Sequence, residues 1–306
     1  MKTALSLILA ASLAPAIAAP AVAQDAITQF NIGVLGGENA QDRMSSNECL
    51  RKYTEEALGV PVKLFTPADY DGVIQGLLGG SLDAAILGAS GYAKAYLTDP
   101  EAVEPVLVKT NLDGATTYYS IGFARKDRNI ASMDDMKGKV LGFGDPNSTS
   151  GYLIPAVELP KQGYSMTAGE YFKDIKFTGG HEQTIVAVKN GDVDAGVTWA
   201  DGLGDWEDGY NSGALRKAVD AGLVDMNDLV EIWRSEPIPE GPMVVRKALP
   251  ADVKEKFTAL VQNLIKTDKD CAYGVASGET AGFAPVTHDA YATILEVRKL
   301  EEQKGN

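Results

Sequence analysis

Cysteine and histidine are scarce in this chain, with two of each in 306 residues, and basic side chains fall short of acidic ones by 28 to 42. Each shortage removes a class of chemistry. His181 and His288 stand too far apart for the paired-imidazole spacing of a zinc site, so no metal is expected. His288 reads as a surface residue. There is no G-x-S-x-G elbow and no spare thiol, which leaves a hydrolase without an activated nucleophile. A phosphate-cleaving site with neither metal nor dense cations would stabilise transition-state charge poorly. Catalysis and cofactors are therefore not expected. The net charge of −14 comes with no lysine or arginine stripe, which argues against nucleic acid and anionic lipid as partners. Beyond the N-terminus no run approaches the roughly 20 apolar residues that span a bilayer.

What is present begins with a leader-like segment. Lys2 supplies a positive charge, residues 4–14 are apolar, and Ala21-Val22-Ala23 forms a small-residue cleavage site before Gln24. A signal peptide over 1–23 is expected, and Pro15 and Pro20 speak against a membrane anchor. Export to the periplasm follows, a compartment that permits disulfides. Cys49 and Cys271 either pair or remain two separate buried thiols. The choice depends on whether the fold brings both into one domain.

From residue 29 onward β-rich runs alternate with helical stretches, the mark of an α/β protein. Strands are expected at 30–35, ending in Gly36 and Gly37, and at 62–65 and 83–87, with helices over 42–58 and 68–78 between them. This order implies parallel strands with crossover helices. The pattern restarts with strands at 139–143, 175–177 and 194–198 and helices over 151–159 and 183–189. Extended segments at 118–125, 230–233 and 243–245 surround these units, and helices over 250–266 and 289–302 close the chain. The economical arrangement is two α/β lobes joined by two crossing segments, with a cleft between.

The most informative stretch is Asp145-Pro146-Asn147-Ser148-Thr149-Ser150-Gly151-Tyr152, which follows a strand and opens a helix. A helix start presents unpaired N–H groups and the positive end of the dipole. One hydroxyl suffices for an N-cap; three in succession add donors suited to a tetrahedral oxyanion, and Gly151 admits close backbone approach. Gly179-Gly180-His181-Glu182 places His181 at another helix start, where its ring could donate to the same anion. Distant carboxylates are screened beyond the Debye length of about 8 Å, so local donors outweigh the acidic surface.

These residues resemble the phosphate/phosphite/phosphonate substrate-binding component of ATP-binding-cassette importers. The resemblance extends through the 187–196 run A-V-x-x-G-x-V-D-A-G, the segment Ala68-Asp69-Tyr70-Asp71-Gly72-Val73-Ile74-Gln75-Gly76 and the triplet Tyr118-Tyr119-Ser120. It covers essentially the whole chain after the leader. It implies a two-lobed periplasmic binding protein of type II, with lobe 1 formed by 24–119 plus 238–306 and lobe 2 by 120–237. Both cysteines then fall in lobe 1 and are expected to bond.

The resemblance further implies that Ser148, Thr149 and Ser150 hold the phosphorus oxygens, that His181 adds a donor, and that Tyr70 and Tyr118 reach the ligand. Asp201 falls where relatives that bind aminoalkyl phosphonates carry an acid facing the amine. Their second acid maps onto Gly241, with Glu240 one place earlier. Ser90 is expected in a cleft loop, Trp199 is a further contact candidate, and Trp206 reads as packing. The implied function is capture of a phosphonate, possibly 2-aminoethylphosphonate, by a monomer that delivers it to a membrane permease. A phosphate- or phosphite-binding sensor module is the alternative.

Overall fold

The computed structural model describes residues 26–35 and 39–304. The expected signal peptide and the Gly36 and Gly37 strand end lie outside them. In chain order the first half-lobe is β1 (Phe30–Gly33), α1 (Ala40–Leu58), β2 (Val62–Phe65), α2 (Tyr70–Leu78), β3 (Ala84–Ile86), α3 (Ala89–Thr98) and β4 (Val103–Thr110). The chain then crosses into β5 (Thr117–Arg125), β6 (Val140–Phe143), α4 (Ile154–Lys161), β7 (Asp174–Phe177), α5 (His181–Asn190), β8 (Ala195–Ala200), α6 (Ala214–Asp220), β9 (Leu229–Arg234) and β10 (Ile238–Pro239). It returns through β11 (Pro242–Arg246), α7 (Ala251–Thr267), α8 (Lys269–Ala276), β12 (Gly282–Pro285) and α9 (Ala292–Lys304).

Two sheets result. The first runs β12-β4-β11-β3-β1-β2, parallel among β1, β2 and β3 and antiparallel where the returning β11 inserts between β3 and β4. The second runs β10-β5-β8-β6-β7, with β9 also on β5. The outgoing and returning chains pair where they cross, Tyr118 opposite Ile238 and Thr117 opposite Pro239. The boundaries expected at 119/120 and 237/238 thus fall inside β5 and just before β10.

Helical spacing accounts for the packing. Val253, Phe257, Val261 and Leu264 recur every three or four residues along α7 and are all buried. Phe257 meets Phe30 of β1 at 5.2 Å between ring centres. Burying a side chain of this size contributes about 1.5–3 kcal/mol. Cys49 of α1 and Cys271 of α8 are joined in a disulfide, tying together segments 222 residues apart within the first lobe.

Several elements depart from the sequence expectation; α6, α8 and β12 have no counterpart in it, and two further departures bear on the site. The segment holding Ser90 is the opening of helix α3, not a cleft loop. Strand β4 has no counterpart in the expected strands because Pro105 interrupts its pattern. The register against β11 shifts beside Pro105, between Met243 and Val244, and a bulge of this kind accommodates a proline inside a sheet. His288 is not a simple surface residue. It is half-buried, with Nδ1 2.8 Å from Tyr92 Oη and its ring stacked on Tyr96 at 4.0 Å. Among the described residues no helix is long and apolar enough to cross a membrane.

Candidate functional site

Between the sheets lies a cavity to which Tyr70, Tyr118, Ser148, Thr149, Ser150 and His181 all contribute. Four different elements bring them there. Tyr70 opens α2 beyond its Asp69 cap, Tyr118 lies in the first crossing, and His181 opens α5. Residues 149–153 form a single π-helical turn ahead of α4. Such turns recur at functional sites because they re-aim side chains within a helix.

The turn's hydroxyls have distinct tasks. Ser148 caps it, accepting from the Gly151 N–H at 3.0 Å, and its Oγ lies 3.4 Å from His181 Nε2. The other ring nitrogen of His181 is 3.2 Å from Thr198 Oγ1, so the tautomer decides which hydroxyl donates and which accepts. Thr149 Oγ1 accepts from the Ser90 N–H of the opposite lobe at 2.9 Å. Ser150 is buried; its carbonyl accepts from Ser120 Oγ at 2.6 Å. The amides of Thr149 and Ser150, first in the turn, have no carbonyl one turn back to donate to. Burial pushes the Tyr118 phenol up, partly offset by hydrogen bonds from Ser150 and Thr149, so it stays a neutral donor.

Gly151 does not line the cavity. A side chain there would come within 2.8 Å of Ser148 Oγ and 3.2 Å of His181 Cε1, so glycine is needed to let the cap and the ring meet. Ser90 also lies off the cavity wall and contributes its backbone across the lobes. Trp199 does line it.

The charged residues are arranged differently from the sequence expectation. Asp201 is buried but is not part of the cavity wall; its Oδ1 accepts from the Leu203 N–H at 3.1 Å. Glu240 is in the wall. Gly241, the place of the relatives' second acid, cannot carry a side chain: a Cβ would sit 2.0 Å from the Leu87 carbonyl. The residue that sequence reasoning missed is Lys109, at the end of β4. Its Nζ donates to Ser212 Oγ at 2.9 Å, lies 3.6 Å from Glu240 Oε1, and stands 5.3 Å from the centre of the Trp199 ring. The 3.6 Å separation makes an ion pair but not a hydrogen bond, and Glu240 Oε1 has no hydrogen-bond partner among the described residues. Burial raises the carboxyls of both Asp201 and Glu240 above their ordinary values, opposed by Lys109 in each case and, more strongly for Asp201, by the Leu203 N–H. The only sequence signal for Lys109 was a lone cation closing an apolar run.

The model of the family described as "ABC transporter, phosphonate, periplasmic substrate-binding protein" matches residues 32–291. The chain belongs to this family. As a phosphonate-family binding protein it is the substrate-capturing part of an importer and not an enzyme. It is 27% identical over 294 residues to the phosphate-import protein of Mycolicibacterium smegmatis, covering 90% of this chain and 88% of that one. It is 29% identical over 280 residues to the phosphonates-binding periplasmic protein of Escherichia coli, covering 89% and 75%. The crystal structure of a binding protein component of an ABC phosphonate transporter from Pseudomonas aeruginosa superposes with a TM-score of 0.77 at 25% identity, over 90% of this chain and 87% of that one. A Prochlorococcus marinus protein in complex with methylphosphonate shares the fold, with a TM-score of 0.74 at 20% identity over 90% and 99% of the two chains.

Proposed function

We propose that this binding protein captures a phosphonate whose tail carries an ammonium group, 2-aminoethylphosphonate being the simplest, and delivers it from the periplasm to a membrane permease. Residues 24–119 with 238–306 move as one lobe and 120–237 as the other, and the protein works as a monomer after loss of its leader. The hydroxyls of Ser148, Thr149 and Ser150 and the amides of Thr149 and Ser150 hold the phosphonate oxygens. His181, Tyr70 and Tyr118 complete the ring of donors. Neutral donors suit this task because they need no desolvated counter-charge. Ligand contacts to both lobes favour the closed form, and that differential affinity drives closure.

The observation that carries the amine is Glu240. One of its oxygens is buried in the cavity wall with no donor among the described residues, an arrangement that costs free energy until a donor arrives. Around Lys109 two carboxylates, Glu240 and Asp201, meet one ammonium. A second ammonium from the ligand balances the cluster, and a ligand lacking it leaves a buried charge uncompensated.

Calorimetric titration with 2-aminoethylphosphonate, methylphosphonate, phosphite, phosphate and sulfate tests this. The expected order places 2-aminoethylphosphonate first. Equal or tighter binding of phosphate removes the amine from the reading, and binding of none of the phosphorus anions removes the reading as a whole.

A further inference from the structure

The C-terminal helix α9 reaches across the cleft to the back of the oxyanion turn. Ile294 and Leu295 are buried on the face of α9 that packs toward Tyr92 of α3. Arg298 follows on the same face, three and four residues on, and is itself 8% exposed. Its guanidinium has four acceptors from three segments. Nη1 lies 3.2 Å from Ser90 Oγ and 3.3 Å from the Pro146 carbonyl. Nη2 lies 3.0 Å from Asn147 Oδ1, and Nε 3.0 Å from Glu302 Oε1.

Pro146 and Asn147 immediately precede Ser148 and belong to the second lobe; Arg298, Ser90 and Glu302 belong to the first. The same turn is gripped at two more points from the first lobe. Asp145 Oδ2 accepts from the Tyr70 N–H at 3.3 Å, and Thr149 Oγ1 from the Ser90 N–H at 2.9 Å. One turn further along α9, Glu301 accepts from Tyr152 Oη at 2.8 Å. The bonds to Asp145, Pro146, Asn147, Thr149 and Tyr152 cross from lobe to lobe, so a hinge opening that parts the lobes breaks them, whereas Arg298 keeps Ser90 and Glu302 within its own lobe. Arg298 stands out among them because it is a buried cation with a planar fork, and lysine cannot reproduce two divergent bonds from one rigid group.

We propose that Arg298 is the positioning residue that holds the closed form shut: it fastens the oxyanion turn of one lobe to the C-terminal helix of the other and thereby sets the rate of ligand release. The inference rests on the phosphonate-binding reading above. Arg298 does not line the cavity. It acts on the closed state alone, so it slows dissociation and leaves the encounter with the open form untouched. A residue that merely supported the fold would not separate the two rate constants in this way.

Stopped-flow fluorescence with methylphosphonate as the probe, on the wild-type protein and Arg298→Met, reads both rates. Met keeps an unbranched apolar stem and removes the donors. Loss of the charged bonds to Pro146 and Asn147 is expected to speed release by about tenfold or more, with association changed by less than about twofold. Arg298→Lys, which keeps the cation without the fork, is expected to fall between the two and serves alone if the methionine variant does not fold. Unchanged release in the folded variant, or equal changes in both rates, overturns the clamp while the function stands. A wild-type protein that binds no phosphorus oxyanion overturns the function first and the clamp with it.

Discussion

The two ends of the cleft solve opposite problems. At the oxyanion turn, three consecutive residues from Ser148 to Ser150 bring neutral donors together locally, and the helix start supplies the electrostatics. At the other end, Lys109, Glu240, Asp201 and Ser212 come from four segments and place one cation among two buried carboxylates. The neutral end carries little desolvation cost and can bind any tetrahedral oxyanion. The charged end is costly to build and therefore discriminates, because a wrong tail leaves a buried charge unpaired. Affinity and selectivity are thus separated in space, and each can be broken alone.

The largest effect is expected from the neutral end. Ser148→Ala with Ser150→Ala removes two charge-assisted contacts worth about 1.5–3 kcal/mol each, so calorimetry should show affinity for every phosphonate falling by about a hundredfold or more. A loss confined to amine-bearing ligands would break the division between the two ends. Next comes the brace behind the cavity, where α1 and α8 both contribute wall residues and share the Cys49–Cys271 bond. Replacing both cysteines with serine is expected to cost about 2–5 kcal/mol of stability in urea unfolding, and reductant should lower the wild-type midpoint to match.

Selectivity should fall with Glu240→Gln. Removal of the charged acceptor is expected to weaken 2-aminoethylphosphonate by about 2 kcal/mol, roughly 30-fold, in the same titrations. Methylphosphonate should bind as before. Equal losses for both ligands would show that Glu240 supports the pocket without reading the tail.

The smallest effect concerns Asp201, whose carboxyl is raised above 3.8 chiefly by burial. The folded protein holds that proton more tightly than the unfolded chain. Its contribution is therefore full below pH 3.8 and is lost as pH rises through the folded-state value. Asp201→Asn keeps the acceptor for the Leu203 N–H and removes the charge. In the ligand-free protein the variant should match wild type near pH 3.8 and become the more stable of the two toward neutral pH, as read by thermal unfolding across pH. A variant less stable at neutral pH would mean that the attraction of Lys109 outweighs the cost of burying the charge.

The same contrast explains what could be read from the sequence. The oxyanion turn was legible because its residues are neighbours, and so were the β-α-β runs of each lobe, whose periodicity is local. His181 is marked by its place at a helix start, Tyr70 and Tyr118 only by the family resemblance, and the fold brings all three to one cavity. The charged end was not legible. Lys109 gains meaning only when the return crossing sets Glu240 beside it, and Gly241 only when its contact with the Leu87 carbonyl shows that no side chain fits. The resemblance implies a ligand contact for Asp201, whereas the fold sets it behind the cavity wall. The Arg298 bonds to Pro146 and Asn147 span about half the chain, beyond the reach of any local pattern.

A crystal structure with 2-aminoethylphosphonate bound tests the central claim most directly. The account predicts phosphonate oxygens within hydrogen-bond distance of the Ser148, Thr149 and Ser150 hydroxyls and amides, with the ammonium on Glu240. Phosphonate oxygens held away from that turn, with its amides facing solvent, would contradict it.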